Sequence, residues 1–251
     1  MKVIISPAKK IKNYDLLEPV TLPALLDKTA ELVTCLRHLS YSALRQVLGC
    51  NEKLARAAYH SYSFFSMNKG LSPALFSYDG IQYSYLAPAV MDENELEYVN
   101  RHIFILSALY GALRPLDGIR PYRLDFTAKI PGLGTRTLYE FWDSDIYREV
   151  STETSTILNL SSSEYSRTVE KFIGKGKRFV DVRFYEKEEG RLTEKGVYCK
   201  MARGTMVRFL AANRIERVEE ILSFTGLGYR YEPELSTRDK IIFIRERRHE
   251  C

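Results

Sequence analysis

Residues 103–126, IFILSALYGALRPLDGIRPYRLDF, join an apolar run to a segment rich in arginine and proline. The run IFILSALYG predicts a buried element, and it follows a predicted helix, MDENELEYVNRH, that begins with acidic residues. Arg114 and Arg120 each stand before a proline, and Arg123 follows one by two residues. Because proline restricts the backbone around it, less conformational entropy is lost when these guanidinium groups bind a phosphate or carboxylate. This Arg-Pro segment (residues 114–123) is therefore a candidate anion-binding element.

The same arginines have a structural alternative. Each could pair inside the protein with Asp117, with Asp125 or with the carbonyl groups at the end of a helix. The sequence alone leaves both possibilities open.

Predicted strands and helices mix along the whole chain on both sides of this segment. Strands are predicted at 2–6, 156–160 and 239–247, and hairpins at 74–86, around Asp79-Gly80, and at 177–200. Helices are predicted at 22–39, 41–48, 92–102, 135–150 and 201–215, from Asn51 to Phe64, and from a capping box of Ser161 and Glu164 to Ile173. No repeat or low-complexity linker divides the chain. The predicted fold class is mixed, α/β or α+β, in a single domain spanning residues 1–251.

Composition and charge exclude several classes of protein. No apolar run approaches the roughly 18 residues that cross a bilayer, and the start MKVIISPAKK does not resemble a signal peptide. The four cysteines (Cys35, Cys50, Cys199 and Cys251) have no CxxC spacing, which is typical of reduced thiols rather than of disulfides or a zinc site. We therefore expect a cytoplasmic protein without membrane contact. Its net charge of +5 permits a polyanionic partner without requiring one.

Positive charge gathers at five places, which are residues 9–12, the Arg-Pro segment, 171–178, 200–214 and 245–248. On a helix, Lys200, Arg203 and Arg214 would fall within about 60° of one another, with Gly204 in the same stripe. A small residue between charges would let such a stripe approach a flat anionic backbone closely. A solvated helix face without a partner explains the same pattern.

Five separated blocks of the sequence resemble the bacterial YaaA peroxide-stress resistance family. They are ISPAK at 5–9, LYGALRPLDGIRPYRLDF at 109–126, LYEFW at 138–142, LNLSSSEY at 158–165 and KMARGTMVRF at 200–209. Their order and spacing match over nearly the whole chain. Two departures from the family pattern stand out. Where this chain has LDGIRPYRLDF, relatives commonly carry Leu-Met before Gln-Pro-Tyr-Arg-Leu. Where this chain has SSSEY, relatives commonly carry Ala-Ser. The resulting Arg120 makes this version of the segment more basic.

The resemblance implies a single domain of unusual topology with a positively charged cleft and a helix-hairpin-helix element. It further implies binding to double-stranded DNA, including distorted or junction DNA, and a role in limiting damage by hydrogen peroxide and intracellular iron. For the hairpin element, the segment after the helix at 92–102 is favoured over the Pro-Gly-Leu-Gly turn at 131–134. The candidate DNA-binding residues are Lys9, Lys10, Arg114, Arg120, Tyr122, Arg123, Lys200 and Arg203.

The alternative is an enzyme that acts on a nucleotide or another phosphorylated small molecule in the basic cleft. Ser6 and Lys9 follow a predicted strand, where the sites of α/β proteins often lie. Glu140 and Glu164 are candidate acid or base groups, although carboxylates early in a helix also stabilise its dipole. A narrow pocket joining Lys9, Arg123 and Glu164 would favour this enzyme over an open DNA groove.

A metal or redox protein is the third hypothesis, and the sequence supports it least. Cys35 and His38 lie one helical turn apart, but on a helix with a strong apolar stripe. The sequence GKGKR at 174–178 lacks the spacing of a phosphate-binding loop. No metal site and no cofactor are predicted, and a DNA-binding protein without catalytic activity is the favoured hypothesis.

Overall fold

A computed structural model describes residues 1–246 of the chain. The predicted basic cluster at 245–248 lies partly outside the described residues, because Arg247 and Arg248 follow Glu246. Cys251 also lies outside them, as does the last residue of the strand predicted at 239–247.

Within the described residues, eight strands form one mostly parallel sheet in the order β11-β12-β9-β8-β1-β5-β6, with β10 paired to β9. The five strands from β12 to β5 are parallel, while β6, β10 and β11 are antiparallel to their neighbours. The strands are β1 (Lys2–Ile5), β2 (Lys10–Ile11), β3 (Ser72–Pro73), β4 (Tyr78–Asp79), β5 (Ile103–Ser107), β6 (Gly111–Leu113), β7 (Gly118–Ile119), β8 (Thr156–Leu160), β9 (Arg178–Glu188), β10 (Arg191–Thr193), β11 (Arg230–Tyr231) and β12 (Lys240–Glu246). Two further two-stranded sheets are β2-β4 and β3-β7.

Helices connect these strands. They are α1 (Leu26–His38), α2 (Tyr41–Leu48), α3 (Glu52–Ser63), α4 (Ala74–Ser77), α5 (Ile81–Leu86), α6 (Glu93–His102), α7 (Leu138–Trp142), α8 (Asp145–Ser151), α9 (Ser163–Glu170) and α10 (Gly196–Ala212). Among residues 1–246, no helix has both the length and the apolar character that crossing a membrane requires.

Strand β1 lies at the point where the order of the strands reverses, with β5 and β6 added on one side of it and β8, β9 and β12 on the other. It is fully buried and pairs in parallel with β5 on one side and with β8 on the other. The carboxyl ends of these three parallel strands therefore share one edge of the sheet. In open α/β sheets, ligands bind at the carboxyl edge beside such a switch point.

Several predicted elements are confirmed because their signals are local. Helix α2 ends at Gly49, which adopts φ of 53°, and α3 begins after Asn51, whose side chain accepts a hydrogen bond from the Leu54 N–H at 3.0 Å. Helix α6 begins with a capping box of Asp92 and Glu95. The mixed fold class and the hairpin of β9 and β10 are likewise confirmed.

The hairpin predicted at 74–86 is wrong. Gly80 is extended, with φ of −176°, and it is followed by α5 instead of a returning strand. Strand β4 pairs with β2, so that Asp79 lies opposite Lys10. A distant strand therefore replaces the local pairing that the Asp-Gly signal indicated.

The capping box predicted for Ser161 and Glu164 is also wrong. The Ser161 hydroxyl donates to Asn159 Oδ1 at 2.7 Å, and the helix begins after Ser162. The Glu164 carboxylate accepts a hydrogen bond from the Phe126 N–H instead, at 3.1 Å. A contact between distant segments has replaced the local cap.

Neither segment proposed for the hairpin element lies between two helices. Helix α6 runs directly into β5, and the chain then forms β6 and β7. The turn at 131–134 precedes α7 but follows backbone that is neither helix nor strand. Helices α2 and α3 are joined by a three-residue turn, Gly49 to Asn51.

Candidate functional site at the carboxyl edge of the sheet

A narrow notch opens at the carboxyl edge of the sheet, beside β1. It is formed by the residues that follow β1 and by residues 122–125, and its free volume of about 10 Å³ is room for about one water molecule. Its polar lining includes Lys9, Tyr122, Arg123, Asp125 and Tyr165. We call this the switch-point notch.

Two positive groups of the notch come from different parts of the chain. The Lys9 ammonium lies 3.1 Å from Asp125 Oδ2, although the lysine side chain is 71% exposed. The Arg123 guanidinium is half-buried and forms no ion pair within the described residues, and its Nε is buried without a hydrogen-bond acceptor. Exposed ion pairs contribute only about 0–1 kcal/mol, so both cations remain available to an anion.

Glu164, at the start of α9, is close enough to Asp125 and Lys9 to interact with their charges, but it is not among the residues that line the notch. Its carboxylate is held by the Phe126 N–H, and its backbone carbonyl accepts a hydrogen bond from the Tyr139 hydroxyl at 2.9 Å. Burial raises the pKa of Glu164, and the negative charge of Asp125 raises it further. A carboxyl group of this kind holds its proton at a higher pH than an exposed one.

A buried hydroxyl network lies behind the notch. The Tyr122 hydroxyl shares hydrogen bonds with Ser107 at 2.7 Å and with Tyr78 at 2.9 Å. Burial raises the pKa of Tyr122 to about 12. Since its polar end points into the protein, Tyr122 supports the notch rather than presenting a hydroxyl to solvent. No local sequence signal indicates this network, because its members come from three separate segments.

Ser6 joins the loops that follow β1 and β8. Its hydroxyl accepts the Ser162 N–H at 2.8 Å, and its carbonyl accepts the Tyr83 hydroxyl at 3.0 Å. These contacts tie the start of α9 and helix α5 to the end of β1. Ser6 therefore positions the backbone around the notch.

The remaining arginines of the Arg-Pro segment do not line the notch. Arg120 donates through Nη1 to the Lys69 carbonyl at 2.8 Å, and its guanidinium lies over the Phe65 ring. The Arg114 N–H binds the Asp117 carboxylate at 2.7 Å, while its side chain is exposed. Lys10 is exposed next to Lys9 and pairs with Asp79 at 2.5 Å.

The stripe predicted on the helix at 200–214 does not form one exposed surface, because only Lys200 and Arg214 are exposed and Arg214 lies beyond the end of α10 at Ala212. Arg203 is buried, and its Nη2 lies 3.7 Å from a Glu194 carboxylate oxygen. Gly204 faces α5, where an added Cβ would lie 2.1 Å from the Gln82 carbonyl oxygen. Lys200 is exposed on the same helix. The candidate acid or base group Glu140 is exposed on α7, where its carboxylate accepts a hydrogen bond from the Arg136 N–H at 2.9 Å.

Across residues 1–246, no three His, Cys, Asp or Glu side chains are grouped as the ligands of a metal ion would be.

The amino-acid sequence is similar to a known family and to several of its members. The model of the family described as "Peroxide stress protein YaaA" matches residues 1–235. A UPF0246 protein of Desulfitobacterium hafniense (strain Y51) is 45% identical over 246 residues, which cover 98% of both chains. A UPF0246 protein of Lachnoclostridium phytofermentans is 40% identical over 98% of this chain and 96% of its own. A UPF0246 protein of Agathobacter rectalis is 41% identical over 98% of this chain and 99% of its own.

Proposed function

The chain belongs to the YaaA peroxide stress protein family, and from that premise we propose that it binds the phosphate backbone of double-stranded DNA in the cytoplasm. By covering the duplex, it limits the damage that peroxide and iron cause there. The bound DNA includes distorted or junction DNA, and recognition of the backbone makes binding largely independent of sequence.

The observation that carries this proposal is the meeting of Lys9 and Arg123 on one notch at the carboxyl edge of the sheet. Lys10, which is exposed and follows Lys9 in the chain, adds a third cation. An arginine fork and two ammonium groups are the donors that phosphate oxygens accept best. The contact surface is smaller than the sequence predicts, because Arg120 is held by Lys69 and Arg203 is buried.

The turn between α2 and α3 supplies a second backbone contact. The first turn of a helix presents N–H groups without intrahelical acceptors, and these favour phosphate. In α3 the Leu54 N–H is already bound by Asn51, and Glu52 adds one carboxylate to the turn. Arg45 and Lys53 are exposed on either side of this turn. At its other end α3 binds the Arg-Pro segment, since Ser61 donates to the Pro121 carbonyl and Tyr62 to the Arg123 carbonyl. The 12 residues of α3, a length of about 18 Å, thus separate the turn from the contacts of α3 with the Arg-Pro segment.

A salt series tests the proposal directly. With Lys9, Lys10 and Arg123 as three phosphate contacts, the log-log slope of affinity against salt should be about −2.7, and steeper where Arg45 and Lys53 also contact phosphate. This predicts a loss of at least about 40-fold between 50 and 200 mM salt. Arg123→Ala should weaken all duplex sequences alike and lower the magnitude of the slope by about 1. Fluorescence anisotropy with labelled duplex, junction and single-stranded DNA measures both quantities.

Arg191→Ala is the matched control, because it removes one exposed positive charge on β10, away from the notch. Its affinity and slope should equal those of the unmodified chain. Affinity that does not change with salt, or equal losses in the two variants, would contradict the proposal. Protection of plasmid DNA from nicking by ferrous iron and peroxide should be lost in a Lys9, Lys10 and Arg123 triple alanine variant.

An enzyme acting on a phosphorylated small molecule or nucleotide is a second candidate, favoured by the raised pKa of Glu164 beside Lys9 and Asp125. In that case protonated Glu164 would act as a general acid, so turnover should fall as pH rises through its pKa. Chromatography of nucleotides and DNA incubated with the protein would detect a product. Glu164→Gln should abolish that product while leaving DNA affinity unchanged, and absence of any product would remove this candidate.

A further inference from the structure

A second, larger cavity lies where the β9–β12 pair ends, two and three strands away from β1 in the sheet order. It measures about 1340 Å³, which is more than the usual size of a small-ligand pocket. We call it the β9–β12 basin. Its walls include Leu192, Tyr198, Arg230, Tyr231 and Arg245.

A buried carboxylate fixes one arginine in this basin. Glu186 is 0% exposed and accepts two hydrogen bonds from Arg245, from Nε at 2.9 Å and from Nη2 at 2.7 Å. The Tyr229 hydroxyl donates to the other carboxylate oxygen. The Arg245 guanidinium also lies over the rings of Tyr198, at 4.4 Å, and Tyr229, at 5.3 Å. Its orientation is therefore set before any ligand arrives.

The buried ion pair of Glu186 and Arg245 is not explained by a gain in the stability of the fold. A buried ion pair is often no more stabilising than apolar residues of the same volume, because both charges lose their hydration. Arg245, however, is 20% exposed and lines the basin, and Glu186 uses only two of its three nitrogens. The pair holds a guanidinium at the floor of a cavity with one nitrogen left for a ligand.

Most other charges around the basin are matched by partners, although the Glu232 carboxylate, which also lines it, forms no ion pair within residues 1–246. Lys187 pairs with Glu246 at 3.4 Å, and Glu188 with Lys195 at 2.6 Å. Arg230 is exposed at the wall and forms no ion pair within residues 1–246. Arg245 and Arg230 therefore supply the positive charge, next to the aromatic surface of Tyr231.

We propose that the β9–β12 basin binds a nucleoside phosphate, with the phosphate on Arg245 and Arg230 and the base against the aromatic and apolar walls. An arginine fork held from behind matches phosphate geometry. Aromatic side chains such as Tyr231 suit a planar base, and Leu192 and Leu235 extend the apolar wall. This site is separate from the switch-point notch and does not depend on DNA binding.

Titration calorimetry of the full chain with AMP tests the proposal. AMP should bind at one site. Adenosine alone and inorganic phosphate alone should each bind at least about 10-fold more weakly than AMP, since each lacks half of the contacts. Arg245→Lys keeps a positive partner for Glu186 but loses the forked guanidinium, and it should weaken AMP binding by about 10-fold. Tyr231→Leu should weaken it by about 5-fold. The melting temperature of each variant confirms that it is folded.

Two controls separate this site from others. Arg191→Gln, on the adjoining β10 but outside the basin, and Arg123→Ala, in the notch, should both bind AMP as the unmodified chain does. A chain ending at Glu246 should bind it as well, because every group that the proposal uses precedes that point. Absence of AMP binding at millimolar concentration, equal binding of inorganic phosphate alone, or loss of binding in any of these three controls would overturn the proposal.

Discussion

Replacing Gly204 with alanine should lower the melting temperature by about 6–12 °C, from a loss of about 3 kcal/mol in the free energy of unfolding. The added Cβ would lie 2.1 Å from the Gln82 carbonyl oxygen and 3.0 Å from the Leu86 nitrogen. These are backbone atoms of α5, so no side chain can rotate away to make room. Helices α5 and α10 would have to separate. Calorimetry or thermal unfolding followed by circular dichroism measures the shift.

Gly196→Ala is the matched control in the same helix. An added Cβ at Gly196 meets no atom within 4 Å, so its melting temperature should stay within about 1–2 °C of the unmodified chain. Equal melting temperatures for the two variants would show that α5 and α10 do not approach as closely as the structure indicates.

The close approach at Gly204 also bears on the switch-point notch. Helix α5 carries Tyr83, whose hydroxyl binds the Ser6 carbonyl at 3.0 Å. Gly204 therefore helps to hold α5, and through it the backbone after β1, in position. A stability effect at Gly204 should be accompanied by weaker DNA binding even at temperatures where the variant is folded.

The second large effect concerns Asp117 and pH. Asp117 is 2% exposed, and burial raises its pKa to about 6 from an ordinary value of 3.8. Its carboxylate accepts hydrogen bonds from the Thr21 hydroxyl at 2.6 Å and from the Arg114 N–H at 2.7 Å. The difference in pKa corresponds to about 3 kcal/mol of unfolding free energy.

The direction in which the stability contribution of Asp117 changes with pH follows from proton binding. Between pH 4 and 6 the folded chain binds the Asp117 proton more tightly than the unfolded chain does. The stabilisation from this group is therefore complete below the unfolded pKa and is lost as pH rises through about 6. Other groups also titrate in this range, so the share of Asp117 is measured as a difference between variants.

Asp117→Asn isolates that share, because an amide does not titrate. The melting temperature of the unmodified chain minus that of Asp117→Asn should fall by about 6–12 °C between pH 4 and pH 7. Glu140→Gln, at an exposed carboxylate on α7, should show no such trend. A difference that stays constant, or that grows with pH, would contradict the assignment of the raised pKa.

The sequence predicts those parts of the fold whose causes lie within a few residues. Gly49 ends α2 because it adopts a left-handed conformation, and Asn51 begins α3 because its side chain satisfies the Leu54 N–H. The sequence also predicts that the Arg-Pro segment is a candidate anion-binding element. Only Arg123 of its three arginines lines the notch, and nothing local distinguishes it from Arg120.

Predictions from the sequence are wrong where a distant segment competes with a local signal. The Asp79-Gly80 pair predicts a turn, but pairing of β4 with β2 takes its place. The helical wheel of α10 groups Lys200 with Arg203 without indicating which side packs on the protein, and Arg203 is buried. Glu164 has the spacing of a helix cap, yet it binds the Phe126 N–H 38 residues away.

The amino-acid sequence by itself determined the mixed helix and strand content, the main helix ends and the family. These depend on backbone preferences, caps and short motifs, which act within one or two turns of chain. Only the tertiary structure decided that Lys9 meets Asp125 across 116 positions, that Arg203 and Asp117 are buried, and that Glu186 orients Arg245. Those outcomes depend on which surfaces lose water when distant elements pack, and desolvation is a property of the assembled fold rather than of any segment.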